Sequence, residues 1–379
     1  MAERGGVAYA PRLAGESRGV ERARVATEDS KEERRLDVGS VLQAGERAGL
    51  TACGITPCAP TEHAAHLDAW LARGAHAGMA WMERTADVRK DLRRKWSWAR
   101  SALVGVASYL TEPKRREELA GLGRYVSRYA RGVDYHDTLR LRLARWADEV
   151  EAIAGRPHRR ALLVDTSAVL ERELAVRAGL GWFGKNTCLI GPDGDSWRFI
   201  GVVLTDLPLP ATGEPLTERC GSCRACLDAC PTGAIPEPWF VDAGRCISYF
   251  TIEQRGAVPE PFREQLGDWL FGCDVCQEVC PWNRRLEPAA DDAFAVSDAL
   301  SRTGLAELIR MSEVEFRDRF RGTPLTRPKR SGMVRNALTV GANTGDPEVI
   351  EAARDLVDDE DPVVAETARW VVSRAGADS

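Results

Sequence analysis

The 379-residue chain has no apolar run long enough to cross a bilayer, and its N-terminus lacks the apolar stretch of a secretion signal. We therefore expect a cytoplasmic protein with no membrane partner, in a reducing compartment that keeps thiols free. An excess of positive charge is also missing, since 52 Lys and Arg stand against 57 Asp and Glu. This balance argues against a wholly basic nucleic-acid binder and leaves only local patches for such a role.

Cysteine is concentrated in one stretch, because eight of the eleven cysteines lie between Cys220 and Cys280. The first run has the spacing C-x2-C-x2-C-x3-C-P, the bacterial ferredoxin pattern whose fourth cysteine ligates the other cluster. The second run, C-x2-C-x3-C-P from Cys273, is one cysteine short, and Cys246 is the nearby candidate to complete it. Eight thiolates are the ligand set of two 4Fe-4S clusters.

The spacing also predicts which cysteines share a cluster. Closely spaced thiolates converge on one cluster, whereas the last cysteine of each run lies one helical turn further on and points away. We therefore expect a crossed partition, in which one cluster binds Cys220, Cys223, Cys226 and Cys280 and the other binds Cys230, Cys246, Cys273 and Cys276. Disulfides or structural zinc are the alternatives, but cysteines at every third position cannot all pair, and zinc leaves the Cys-Pro endings unexplained.

Composition and periodicity divide the chain into four parts of an α+β protein. Residues 1–36 lack apolar periodicity and are predicted to be a disordered tail. Residues 37–212 alternate helical stretches with apolar runs, which favours an α/β or α+β sandwich. A Pro-rich stretch separates them from a double 4Fe-4S region at 213–290, and residues 291–379 resemble short HEAT-like helices. The predicted strands of the second part are 52–55, 102–107, 161–164, 187–190 and 199–204, and its predicted helices are 38–48, 138–153 and 169–178.

Asp165 is the carboxylate that we select as a catalytic candidate. It ends the apolar run 161–164, and α/β sheets place ligands at the carboxyl ends of strands. An N-cap or turn role is the alternative. If its surroundings are apolar, the pKa of Asp165 would rise and the side chain would become a proton donor.

A glycine motif, Gly179-x-Gly181-x-x-Gly184, matches the dinucleotide fingerprint but lies in the wrong context. It follows a predicted helix and precedes a predicted strand, the reverse of a nicotinamide site. We predict a tight turn that carries a functional Lys185, with a purely structural turn as the alternative.

Basic segments are the remaining signal. Residues 84–100 and 315–335 each carry seven Lys or Arg against two acidic residues, and Arg131 belongs to a third run with interleaved tyrosines. Such segments favour a phosphate-binding surface with aromatic stacking. Solvated helix faces are the alternative for each of them.

Taken in order, four groups of residues resemble the epoxyqueuosine reductase family, over about residue 37 to the end. They are Tyr129-Ala-Arg-Gly-x-Asp134-Tyr135-His136, Leu170-Glu171-Arg172, Gly179-Leu-Gly-Trp-Phe-Gly-Lys185, and the two cysteine runs. The resemblance implies a cobalamin-dependent iron–sulfur oxidoreductase that reduces the epoxide of epoxyqueuosine at the tRNA wobble position, with an architecture related to reductive dehalogenases.

The resemblance also implies roles for single residues. Asp165 falls on the family's proposed proton donor, and the cysteines fall on its two cluster sets. The segments similar to cobalamin-contacting parts contain Arg89, Asp134, Lys185, Leu189 and Ser248. The residues expected to contact tRNA are Arg131, Tyr135, His136, Lys329 and Arg330. Leu139 replaces the glycine of an Asp-x-His cobalamin motif, which favours base-off cobalamin without a histidine ligand.

The partners that follow are the tRNA anticodon loop and an external low-potential electron donor, and we expect the chain to act as a monomer. Two other functions stay open. A ferredoxin-type electron carrier would have no use for residues 37–212, and a small-molecule reductase like the reductive dehalogenases would usually carry an export signal. The remaining cysteines, Cys53, Cys58 and Cys188, are expected to be structural thiols.

Overall fold

The computed structural model describes residues 36–111, 116–284, 286–289 and 291–377. The predicted disordered tail, apart from Leu36, lies outside these residues. Within the described ranges no helix has the length and apolar character needed to cross a membrane. The strands are β1 Ala52–Pro57, β2 Ser101–Ser108, β3 Arg160–Val164, β4 Trp182–Phe183, β5 Leu189–Ile190 and β6 Arg198–Thr205. The helices are α1 Val38–Arg47, α2 Ala64–Ala72, α3 Trp81–Arg84, α4 Ala86–Lys90, α5 Tyr135–Ala154, α6 Glu171–Arg177, α7 Ala225–Asp228, α8 Ile247–Ile252, α9 Glu260–Arg263, α10 Val275–Glu278, α11 Asp298–Arg302, α12 Leu305–Arg310, α13 Glu313–Arg319, α14 Lys329–Thr344, α15 Pro347–Arg354 and α16 Pro362–Ala377.

Four strands form one sheet in the order β1-β2-β6-β3, and every neighbouring pair is antiparallel. The predicted strands 52–55, 102–107, 161–164 and 199–204 are confirmed, whereas the predicted strand 187–190 is reduced to the two residues of β5. The α/β prediction for residues 37–212 is wrong, because the sheet has no parallel pair among the described residues. The α+β alternative is correct.

Both faces of the sheet are covered, which explains the continuous apolar runs of β2 and β6. Leu103 and Val203 pack with the helices α1 and α5 on one face. Val104 and Val202 pack with α6 on the other. Strands buried on one face alone would have alternated between apolar and polar residues.

Helix α5 is fixed at both ends and along its length. Its N-cap, Asp134, accepts the backbone N–H of His136, and Gly155 ends the helix in the left-handed region at φ 64°. Trp146 is fully buried, and its Nε1 donates to the Val41 carbonyl of α1 at 2.7 Å. The first turn of α5 is thereby held next to the end of β3.

The C-terminal helices share a core with earlier segments. Asp346 and Asp361 cap the N-termini of α15 and α16 through their side chains. Their hydrophobic cluster also contains Leu122 and Phe271, from two other predicted domains. The domain boundaries and the HEAT-like classification stay predictions.

Arg335 attaches α14 to the segment that follows α8. Its buried guanidinium donates to the carbonyls of Gln254 at 2.8 Å and Gly256 at 2.6 Å, and the neighbouring Asn336 donates to the Thr251 and Leu270 carbonyls. This cation of the basic segment 315–335 is therefore used inside the protein.

Candidate active site

A cavity of about 1480 Å³ lies between the first turn of α5, the loop after β3, the start of α6, the cysteine region and residues 324–327. Pockets for single small ligands usually measure roughly 300–1,000 Å³. The cavity therefore has room for more than one ligand, and its walls come from segments that lie far apart in the chain.

Asp165 projects into this cavity from the end of β3. Its backbone has φ 46°, in the left-handed region that non-glycine residues seldom adopt outside special turns. The carboxylate is 57% exposed, and it faces the cavity. The predicted position at a strand end is confirmed, although the sheet is antiparallel, so the parallel-sheet argument that led there does not apply.

His136 lies between two carboxylates. Its Nδ1 is 2.7 Å from Asp134 Oδ1, and its Nε2 is 3.3 Å from Asp165 Oδ2. Burial acts to lower the pKa of His136, but the hydrogen bonds to both carboxylates outweigh burial and raise this pKa to about 9. At neutral pH the imidazole is therefore protonated and donates from both ring nitrogens.

Asp165 is held in the ionised form. Burial acts to raise its pKa, but the hydrogen bond and positive charge of His136, together with the Tyr135 hydroxyl, lower it. Tyr135 is itself stacked between Phe199, at 4.3 Å, and His136, at 4.2 Å between ring centroids. The rise of the Asp165 pKa that apolar surroundings would cause does not occur, because the neighbouring imidazolium, which the strand-end pattern does not reveal, outweighs burial.

Glu171, at the start of α6, is a second carboxyl of the cavity. Burial raises its pKa, and the charge of Asp165 adds to that effect against the opposing charges of Arg172 and Arg89. The site thus contains one carboxyl held ionised by a histidine and another biased towards its neutral form.

The cysteines separate into two groups in space. None of the eleven cysteines, all of which lie among the described residues, is joined in a disulfide. Four of them line the cavity, and these are the predicted second set, Cys230, Cys246, Cys273 and Cys276. The predicted first set is absent from the described cavity lining.

Electrostatic effects between the thiols follow the same grouping. Burial raises the pKa of Cys226 to about 11, and repulsion from Cys280 and Cys220 adds to it. Burial likewise raises the pKa of Cys273, with repulsion from Cys246 and Cys230. Among the described residues no three His, Cys, Asp or Glu approach closely enough to share one metal ion, whereas a four-iron cube holds its ligands further apart.

The short helices α7 and α10 fit the cysteine spacing. Each contains the last of the closely spaced cysteines, Cys226 in α7 and Cys276 in α10, and ends two residues before the final cysteine of its run, which is followed by proline. Ser248 lines the cavity, and its backbone and side chain both hydrogen-bond the Cys246 thiol. It therefore supports a cysteine of the second set.

Arg89 lines the cavity, as expected for its segment, and its guanidinium donates to the Val169 carbonyl at 2.8 Å. Lys185 and Leu189 are absent from the described lining. The buried Lys185 ammonium donates to the carbonyls of Gly221 and Cys223, so this lysine holds the first cysteine loop. Leu189 packs in the hydrophobic core between the sheet and α6.

Three predicted tRNA contacts lie away from the cavity lining among the described residues. Arg131 is buried, with its Nε bonded to the Val126 carbonyl, which contradicts a role on the surface. The Arg330 guanidinium donates to the Met311 and Ile309 carbonyls at the end of α12, so it too has a structural use. Lys329 is exposed at the start of α14, and its predicted role stays a prediction.

Sequence reasoning missed several lining residues, among them Glu171, Arg140 and Arg327. Glu171 stood inside a recognised motif but had no assigned role. Arg327 belonged to the basic segment 315–335, where its neighbours were chosen instead. Only the fold distinguishes the cation that reaches the cavity from those that bind carbonyls.

Comparisons with known proteins agree with this arrangement. Residues 219–283 match the family model of the 4Fe-4S double cluster binding domain, and residues 89–166 match that of epoxyqueuosine reductase QueG, DUF1730. The chain is 39% identical over 333 residues to epoxyqueuosine reductase of Xanthomonas campestris, covering 87% of this chain and 93% of the relative. The Escherichia coli enzyme is 36% identical over 351 residues, 88% of each chain.

Among solved structures, the fold resembles epoxyqueuosine reductase with a tRNA-Tyr epoxyqueuosine-modified tRNA stem loop. The TM-score is 0.81 at 27% sequence identity, covering 89% of this chain and 90% of the other. With curated relatives above 35% identity along most of their length, the chain belongs to the epoxyqueuosine reductase family.

Proposed function

We propose that the protein reduces the epoxide of epoxyqueuosine in tRNA to the alkene of queuosine. The reaction takes up two electrons and two protons, breaks both C–O bonds of the epoxide and releases the oxygen as water. The observation that carries the proposal is one cavity that joins four cysteines of a cluster set to the Asp134–His136–Asp165 group. Redox and proton-transfer groups therefore face the same space.

Cobalamin is part of the proposal, in the base-off form. The cavity exceeds the usual size for one small ligand, and its lining includes apolar side chains such as Met79, Val169 and Ile247, which suit the face of a corrin ring. Arg89, Ser248 and the second cysteine set would surround it. When bound, the cobalt would supply electrons at low potential to the epoxide carbon, and the clusters would provide those electrons.

The chain's own residues would handle the protons. Asp165 holds His136 protonated, and His136 in turn orients the Asp165 carboxylate towards the cavity. As the epoxide oxygen leaves with negative charge, a proton carried by this pair would neutralise it. Glu171, biased towards its neutral form, is placed to supply the second proton.

Activity should fall as the pH rises through about 9, because His136 then loses its proton. The ion pairs of His136 with Asp134 and Asp165 also stabilise the fold. Because the pKa of His136 is raised in the folded state, this stabilisation is complete below about pH 6.5 and is lost as the pH rises through about 9. Turnover of an epoxyqueuosine stem loop between pH 6 and 10 measures this. His136→Gln should lose the alkaline limb and reduce the rate on the order of 100-fold; an unchanged limb in that variant would assign it to another group.

Deletion of the gene should cause epoxyqueuosine to accumulate in cellular tRNA at the expense of queuosine. Nucleoside analysis of bulk tRNA from the deletion strain measures both. The wild-type gene should restore queuosine, whereas a gene encoding Asp165→Asn should not. Normal queuosine levels in the deletion strain would contradict the proposed function.

We also propose an external low-potential reductant as electron donor, entering through the first cysteine set. That set is absent from the described cavity lining, whereas the second set faces it. The cluster of the first cysteine set would therefore receive electrons from the donor, and the cluster of the second set would deliver them to the cavity.

A further inference from the structure

Two guanidinium groups line the cavity close to Asp165 and have no role in the proton chemistry. Arg140 lies on α5, one turn after His136, and Arg327 follows the short helical turn Pro324–Thr326. They are 47% and 49% exposed, respectively. They reach the cavity from elements far apart in the chain. The charge of Arg140 helps to lower the pKa of Asp134, and the charge of Asp165 helps to raise the pKa of Arg327.

Arg140 is weakly held by the protein. Its Nη2 is 3.5 Å from the Thr166 hydroxyl, directly after Asp165, and its Nη1 is 3.6 Å from the exposed carboxylate of Asp137. Exposed ion pairs of this kind contribute little free energy. The guanidinium can exchange Asp137 for another anion at small cost.

Arg327 is held firmly but incompletely used. Glu253 accepts from its Nε at 3.1 Å and from its Nη2 at 3.2 Å, and the guanidinium lies 5.8 Å from the centre of the Trp81 ring. A guanidinium has five N–H donors, and this pair leaves the Nη1 group for another acceptor. Glu253 therefore fixes the direction of a cation that still faces the cavity.

The substrate of the proposed function brings phosphates to an acidic place. The target nucleoside has to leave the anticodon stack to reach an enclosed site, and its flanking phosphates come with it. Asp165 is ionised, and Asp134 and Glu253 lie nearby, so these carboxylates would repel a phosphate. The lining cations Arg89 and Arg172 already donate to the Val169 and Thr187 carbonyls. Arg140 and Arg327 are cations in a suitable place to offset this repulsion.

We propose that Arg140 and Arg327 are substrate-positioning residues, which bind the backbone phosphates on either side of the nucleotide that enters the cavity. The inference rests on the proposed function, because it assigns contacts within the same tRNA complex. Phosphate contacts fix the register of a nucleic acid without reading its sequence. The two arginines would thus set how far the epoxide reaches towards Asp165.

The test measures the affinity of the anaerobically loaded holoenzyme for an anticodon stem loop at several salt concentrations. Arg140→Gln and Arg327→Gln should each weaken binding about tenfold. Each should reduce the slope of log affinity against log salt by roughly 0.7 to 1, the effect of one lost phosphate contact. Arg302→Gln removes an exposed ion-paired cation that lies outside both the basic segments and the described cavity lining, and it should leave both values unchanged.

Glu253→Gln separates phosphate binding from a structural role of the Arg327 pair. It breaks the same ion pair but removes a negative charge from the entrance, so tRNA affinity should stay the same or increase. If Glu253→Gln weakens binding as much as Arg327→Gln does, the pair is structural and the inference fails. Wild-type affinity and slope in both Gln variants of the arginines would also overturn it. Inactivity of the wild-type holoenzyme on epoxyqueuosine tRNA would instead contradict the proposed function.

Discussion

Asp165→Asn should abolish epoxide reduction while the protein still binds iron, the proposed corrin and tRNA. Asparagine keeps the shape of the side chain and can still accept a hydrogen bond from His136, but it cannot carry a proton or add a negative charge that stabilises protonated His136. Loss of a positioned acid–base group typically reduces a rate by about 10² to 10⁴. Single-turnover conversion of an epoxyqueuosine stem loop measures the effect.

The matched control is Asp148→Asn, which changes an exposed carboxylate of α5 paired with Arg160, outside the described cavity lining. It should turn over at the wild-type rate. Full activity of Asp165→Asn would remove the catalytic assignment. Loss of cobalamin or tRNA binding in that variant would make Asp165 a binding residue instead.

Replacing cysteines in pairs should reveal which ones share a cluster. Cys246→Ala should lose one cluster, so that iron falls from about eight to about four per chain, and turnover should stop because the path to the cavity is interrupted. Adding Cys276→Ala should remove no further iron, since both residues belong to the second set. Adding Cys226→Ala to Cys246→Ala should remove nearly all of it.

Iron content and the electron paramagnetic resonance signals of the dithionite-reduced protein provide the readout. Cys58→Ala serves as the control, because this buried thiol lies in the hydrophobic core between the sheet and α6, and its loss should leave eight irons in place. If Cys226→Ala and Cys246→Ala together cost no more iron than either alone, the crossed partition is wrong.

The sequence predicted most elements but could not predict how the strands pair. Continuous apolar runs such as 102–107 indicate strands covered on both faces, and they look alike in parallel and antiparallel sheets. The order β1-β2-β6-β3 depends on which faces α1, α5 and α6 cover. That information lies in contacts between distant residues.

The candidate site was predicted where chemistry depends on spacing and was missed where it depends on surroundings. The cysteine runs and the strand-end Asp165 are local patterns. Charge counts, in contrast, cannot distinguish Arg335, which is buried against carbonyls, from Arg327, which faces the cavity. The ionised state of Asp165 likewise depends on His136, which lies 29 positions away in the chain.

The proximity of Cys280 to the thiols of the first run has a consequence for biosynthesis. A nascent chain that has left the ribosome as far as Cys230 would expose three of the four ligands of its first cube, while the fourth would not yet have emerged. Under the crossed partition the second cube cannot be completed before Cys276 emerges, nor the first before Cys280. Iron–sulfur assembly would then follow translation of nearly the whole region, and premature termination before Cys276 would leave a product unable to retain either cube.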